Sequence, residues 1–192
     1  MNYLTLLVGL GNPGPEYSKT RHNAGFWFLD KVACYYGASF TWQERFGGWV
    51  AKLHHRGEVC HLLKPGLFMN RSGGPVASYC RFYKITPPHV LVAHDELDFA
   101  PGIVKLKKNG GHGGHNGLRS IIDRLGDRSF IRLRIGIGRP TRGDVSSYVL
   151  SKPSPEEEKE ILCGIERAVE CLPVLMEEGV DKAMNLLHQS PV

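Results

Sequence analysis

Several protein classes announce themselves by features that this 192-residue sequence lacks. It has no CxxC pair. Its five cysteines (Cys34, Cys60, Cys80, Cys163 and Cys171) are scattered and odd in number, so they frame neither disulfides nor a zinc site. They read as buried free thiols in a reducing cytosol. No apolar run approaches the roughly 20 residues of a membrane span, and the opening Met1–Val8 has neither the basic start nor the length of an export signal. There is no GxxxxGK(S/T) phosphate loop and no GxSxG elbow, which argues against the usual P-loop NTPases and serine hydrolases. No repeat, low-complexity segment or linker divides the chain.

With 42% hydrophobic and 22% charged residues, the composition fits one compact α/β domain over residues 1–192, long enough for a substantial core. The net charge of +5 hides an asymmetry. From Pro155 onward, three basic residues face nine acidic ones, a local charge of −6, so the first 154 residues carry +11. A basic body with an acidic helical segment at about 155–192 suggests a polyanionic partner for the body; ordinary solubilising charge is the alternative.

The pattern alternates strands with helices. Leu4–Val8 is a continuous apolar strand of the kind buried in a parallel sheet. Phe26, Leu29, Val32, Ala33 and Tyr36 recur at helical spacing up to Gly37. Phe46–Arg56 and Glu58–Lys64 form a hairpin turning at Arg56-Gly57, followed by a helix near Arg71–Tyr83 and a strand at His89–Ala93. Ile103–Lys107 and Phe130–Gly138 alternate, which predicts Lys105, Lys107, Arg132 and Arg134 on solvent-facing sides. Between them, the glycine-dense loop Asn109–Gly117 precedes a helix near Leu118–Leu125. Ser154-Pro155-Glu156-Glu157 starts a helix by a capping box, Pro173 is expected to break or kink it, and Gly179 separates a last short helix.

Chemistry concentrates where such strands would end. Gly9-Leu10-Gly11-Asn12-Pro13-Gly14 matches GxGxxG, but Pro13, Pro15 and the polar Glu16–Thr20 postpone the helix a dinucleotide site needs, and Asp30 falls inside a helical run. In Thr20-Arg21-His22-Asn23-Ala24-Gly25 and His94-Asp95-Glu96-Leu97-Asp98, a histidine and a carboxylate each lie just past a buried strand. Parallel strands would bring His22 and Asp95 together, with Asp95 fixing the tautomer of a general base. On this argument Asp95→Asn costs less than loss of His22, because the base survives. Metal at His112 and His115, or Mg²⁺ at His94, Asp95, Glu96 and Asp98, is the alternative; glycine flanks scaffold the first poorly. Asn12, Asn70 and Asn116 sit in loops predicted at the same rim, with Tyr17 and Phe68 as flat apolar neighbours. The set offers a base, carboxamides and aromatic walls but no side-chain nucleophile, which suits hydrolysis by an activated water.

These runs, with Phe68-Met69-Asn70, Ser72-Gly73, Gly110–Gly117 and Arg132-Leu133-Arg134-Ile135-Gly136-Ile137-Gly138, resemble the bacterial-type peptidyl-tRNA hydrolase family over about residues 4–151. The resemblance implies a single αβα sandwich with a mixed, largely parallel twisted sheet. It implies a monomeric, cytoplasmic enzyme without metal or cofactor, cleaving the ester between a peptide and the 3′ ribose of tRNA, with no membrane and no obligate protein partner. It further implies His22 as base, Asp95 as its partner, and Asn12 as the group separating blocked from unblocked aminoacyl-tRNA. Tyr17, Phe68, Asn70 and Asn116 would contact substrate, Met69 and His115 would line the same crevice, and Lys107 and Arg134 would hold the tRNA 5′ phosphate. The solvent-facing Lys105, Lys107, Arg132 and Arg134 would then form a platform for phosphates without base readout.

Overall fold

The computed structural model describes residues 3–189; Met1 and Asn2 of the opening stretch and residues 190–192 of the acidic segment lie outside the described residues. The first strand, β1 (Leu6–Gly9), is buried along its length, as a strand covered on both faces must be. A 3-10 turn at Arg21–Asn23 leads into α1 (Ala24–Tyr36), which ends at Gly37 with φ 66°. A three-residue strand, β2 (Thr41–Gln43), too short to show alternation, was not expected. β3 (Gly48–His55) and β4 (Glu58–Pro65) form the expected hairpin, turning on the positive φ of Arg56 and Gly57.

There follow α2 (Gly73–Tyr83), β5 (Val90–Glu96), β6 (Val104–Lys108), α3 (Asn116–Leu125) and β7 (Ile131–Gly136). The chain closes with α4 (Val145–Val149), α5 (Pro155–Glu178) and α6 (Val180–His188). The sheet order is β2-β3-β4-β1-β5-β7-β6, with β4, β1, β5 and β7 parallel and the edges antiparallel. Alternate residues point to opposite faces: Leu7, Leu91 and Leu133 pack with α1, α5 and α6, while Leu6, Val8 and Val92 pack with α2 and α3. This is the expected αβα sandwich around a mixed, largely parallel sheet.

Four expectations need correction. Arg132 is buried, because the loop after β6 folds back over it; its guanidinium donates to the carbonyls of Phe130 and Gly110. The phosphate platform loses that member. Cys34 and Cys163 are exposed, and only Cys60, Cys80 and Cys171 are buried thiols. Of the break or kink expected at Pro173, the break is overturned: the residue lies inside α5 without ending it. The missing N–H costs one helical hydrogen bond, and the buried Leu172, Leu175 and Met176 keep the helix continuous against the sheet. Asp95 does not follow β5 but belongs to it, one residue from its end.

Candidate active site

Because β1, β4, β5 and β7 are parallel, the loops that follow them open at one edge of the sheet. The first of these carries the chain from Gly9 to α1, and α1 sits unusually close to the sheet. A Cβ on Gly9 would collide with Gly25 O, and one on Gly25 with Ala93 O and Leu10 N. The first two glycines of the GxGxxG match are therefore used for helix-on-strand packing, a Cβ at Gly11 lying 2.7 Å from the Phe26 ring, while Gly14 serves a turn at φ 111°. This close approach sets the 3-10 turn bearing His22 beside the end of β5.

There His22 Nδ1 lies 2.9 Å from Asp95 Oδ2. β6 runs antiparallel, with Lys108 paired to Ile131 at the far edge, so the following glycine loop returns across β7. It delivers His115, whose Nε2 lies 2.8 Å from Asp95 Oδ1. His115 also caps α3, its Nδ1 accepting from the N–H groups of Gly117 and Leu118 at 3.1 and 3.4 Å. The network assigns both tautomers. His115 Nδ1 is an acceptor, so Nε2 carries the proton and donates to Asp95. His22 donates from Nδ1, which leaves its Nε2 lone pair as a base.

Electrostatics support that assignment. Burial alone would lower the His22 pKa, but the charge and hydrogen bond of Asp95 outweigh it and raise it above the ordinary 6.5. Burial would raise the Asp95 pKa; the His22 and His115 charges and hydrogen bonds overcome this and hold it far below the usual carboxylate range. Asp95 stays ionised. His94 is pushed down to about 3, chiefly by burial and then by His115, and remains neutral. It donates from Nδ1 to Asp95 O at 2.8 Å and packs edge-on to the His115 ring at 5.1 Å.

A cleft of about 660 Å³ opens at this cluster and gathers His22, Asp95, Lys107, His115, Asn116 and Arg134 of the predicted set. Arg134 donates from Nε to Glu96 at 2.7 Å and stacks over Phe99 at 4.5 Å, while Arg139 pairs with Asp98. Each carboxylate of the His94–Asp98 run thus already has a cationic or imidazole partner, which disfavours Mg²⁺ there. His22, Asp95 and His115 do place three ligand atoms within 4.8 Å. A metal on His115 Nε2 would nevertheless drive the proton to Nδ1 and break the cap of α3, so the donor set suits hydrogen bonds better than a cation.

The remaining predicted residues lie outside the lining of that cleft, in the loops after β1 and β4. Asn12 Oδ1 accepts from Met69 N at 2.7 Å, which leaves its Nδ2 as the group free to donate. Tyr17 and Phe68 meet edge to face at 5.9 Å, and Phe68 and Asn70 are exposed. Met69 is buried next to Gly117 of α3. Asn23, to which sequence reasoning assigned no role, holds the group in place: its carboxamide clamps the backbone of Asn12 through bonds of 2.9 and 3.0 Å. A carboxamide directly after the candidate base was the available signal.

A cleft lined by a histidine–aspartate pair at the open edge of a three-layer sheet places the chain among α/β-sandwich enzymes. Residues 6–192 match the family model described as peptidyl-tRNA hydrolase, and the chain belongs to that family. A relative named peptidyl-tRNA hydrolase from Methylococcus capsulatus is 54% identical over 184 residues, covering 95% of this chain and 98% of the relative. One from Pectobacterium atrosepticum is 50% identical over 190 residues, covering 98% and 97%. The crystal structure of peptidyl-tRNA hydrolase from Acinetobacter baumannii superposes with a TM-score of 0.94 at 44% identity, covering 98% of this chain and 96% of that one.

Proposed function

We propose that the protein hydrolyses the ester joining a peptide, or an N-blocked aminoacyl group, to the 3′ ribose of tRNA, with His22 as general base. One observation carries the mechanism: Asp95 accepts from two imidazoles, which leaves His22 Nε2 as the acceptor. Water gives a proton to Nε2 as its oxygen attacks the ester carbonyl. When the bond from carbonyl carbon to ribose oxygen breaks, the same proton goes to the leaving 3′ oxygen, and the products are free peptide and tRNA. Asp95 stays ionised throughout and stabilises the transient imidazolium.

Around this step the carboxamides of Asn12, Asn70 and Asn116 hold the acyl and peptide groups, Asn12 by donating from Nδ2, with Met69 buried beneath. Tyr17 and Phe68 supply an apolar wall, and Lys107 with Arg134 receives phosphate. The reading places the enzyme where translation occurs, in the cytoplasm, acting as a monomer and without metal or cofactor. Incubation with N-acetyl-aminoacyl-tRNA tests it. Wild-type chain releases free tRNA, and His22→Ala slows release by roughly 10²–10⁴-fold, the usual worth of general-base catalysis, while retaining the fold. Near-normal turnover by the variant overturns the mechanism; tRNA binding without product overturns the activity.

A further inference from the structure

Beside His22 stands an arginine that does not line the cleft, yet is tied to a segment that does. Arg21 is 7% exposed. Its Nη1 donates to Tyr148 O at 3.1 Å, to Ser151 O at 3.4 Å and to Ser151 Oγ. Its guanidinium lies 4.0 Å over the Tyr148 ring, and Nη2 reaches Glu157 at 3.5 Å. The Arg21 backbone N–H donates to Ser151 O at 3.1 Å as well. These partners flank and include the last turn of α4, whose terminal carbonyls would otherwise want donors. α4 in turn presents Val145, Ser146 and Val149 to the cleft. A five-residue helix has little stability of its own, so its place depends on such ties.

We propose that Arg21 is a positioning residue that clamps α4 to the turn bearing His22 and thereby sets how tightly the cleft holds substrate. The proposal rests on the hydrolase reading above. Arg21 reaches substrate through the α4 wall, and its loss relaxes that wall while His22, Asp95 and His115 keep their own hydrogen bonds. The signature is weakened binding with intact chemistry.

The experiment compares wild-type chain with Arg21→Met, which keeps the alkyl stem and removes the donors. Steady-state cleavage of N-acetyl-aminoacyl-tRNA is expected to show KM raised about tenfold, kcat within about twofold, and an unmoved pH midpoint, the pattern of lost binding common to ground and transition states. If Arg21→Met does not fold, Ser151→Ala, which removes the hydroxyl acceptor of Arg21 Nη1, is expected to raise KM in the same direction. A double-mutant cycle with Val145→Ala is expected to show coupling, because both act on one wall. A fall in kcat at constant KM, or strictly additive effects, overturns the proposal. Amide exchange across residues 145–149, faster in Arg21→Met, reads the clamp without substrate. Unchanged exchange overturns the proposal too, whereas failure of wild-type chain to cleave the ester overturns only the functional reading.

Discussion

One carboxylate serving two N–H donors makes Asp95 harder to replace than a partner of a single histidine would be. An asparagine offers one oxygen and one NH₂, so it satisfies one imidazole and confronts the other donor to donor. Either His22 turns its proton to Nε2 and loses the lone pair on which the proposed mechanism depends, or His115 surrenders the cap of α3. Asp95→Asn is therefore expected to lose activity within the ~10²–10⁴ range of losing the base itself, where sequence reasoning without the second imidazole expects less. The pH profile adds a signed test. On the proposed mechanism the base works neutral, so kcat/KM is expected to rise with pH through a midpoint above the ordinary 6.5 of histidine. With the Asp95 charge gone, burial acts unopposed and the midpoint moves down. Retention of most activity by Asp95→Asn, or a midpoint that moves up, contradicts this account. The pairing of residues 22 and 95 was legible because each candidate lay near a buried strand. The role of His115 was not, because it depends on a loop that crosses the sheet.

The contact of α1 with the ends of β1 and β5 has a direct mechanical test. At Gly25 an added methyl meets only backbone, Ala93 O and the atoms of Leu10, so no side chain can swing aside. Gly25→Ala is expected to cost about 1–3 kcal/mol by overpacking, read as a fall in thermal midpoint. It is also expected to lower kcat, because His22 sits three residues ahead on the displaced turn. A variant with unchanged stability and unchanged kcat would contradict the close packing. Elements of this length were readable from periodicity, turn residues and the capping box at Ser154. What was not readable depended on tertiary cover. Arg132 alternates like a surface residue and is roofed by a distant loop, Pro173 is tolerated where packing replaces one hydrogen bond, and α4 is too short to show a period.

Charge is the property of the whole chain that reads most directly and misleads most easily. The basic body is legible from counts, but the structure withdraws Arg132 into the interior and pairs Arg134 and Arg139 with carboxylates of the β5 end. Lys107 on β6 is exposed and lines the cleft without such a pair among the described residues. Binding of tRNA to His22→Ala chain should weaken with salt, and Lys107→Ala should lower the log–log salt slope by about 1, the share of one phosphate contact. An unaltered slope, measured by titration at several salt concentrations, removes Lys107 from the phosphate-binding set.

The reversed edge strand has a consequence for how the cleft is held in shape. Strand residues advance about 3.4 Å each, so a two-residue slip of β6 along β7 would carry Lys107, which lines the cleft, roughly 7 Å out of place. That slip is opposed at the margin. His188 Nε2 accepts the Leu106 N–H at 3.1 Å, and Lys108 pairs with Asp181 at 2.7 Å. The helix α6 thus works as a detent on a sliding rail, fastening the register that sets Lys107 in the cleft.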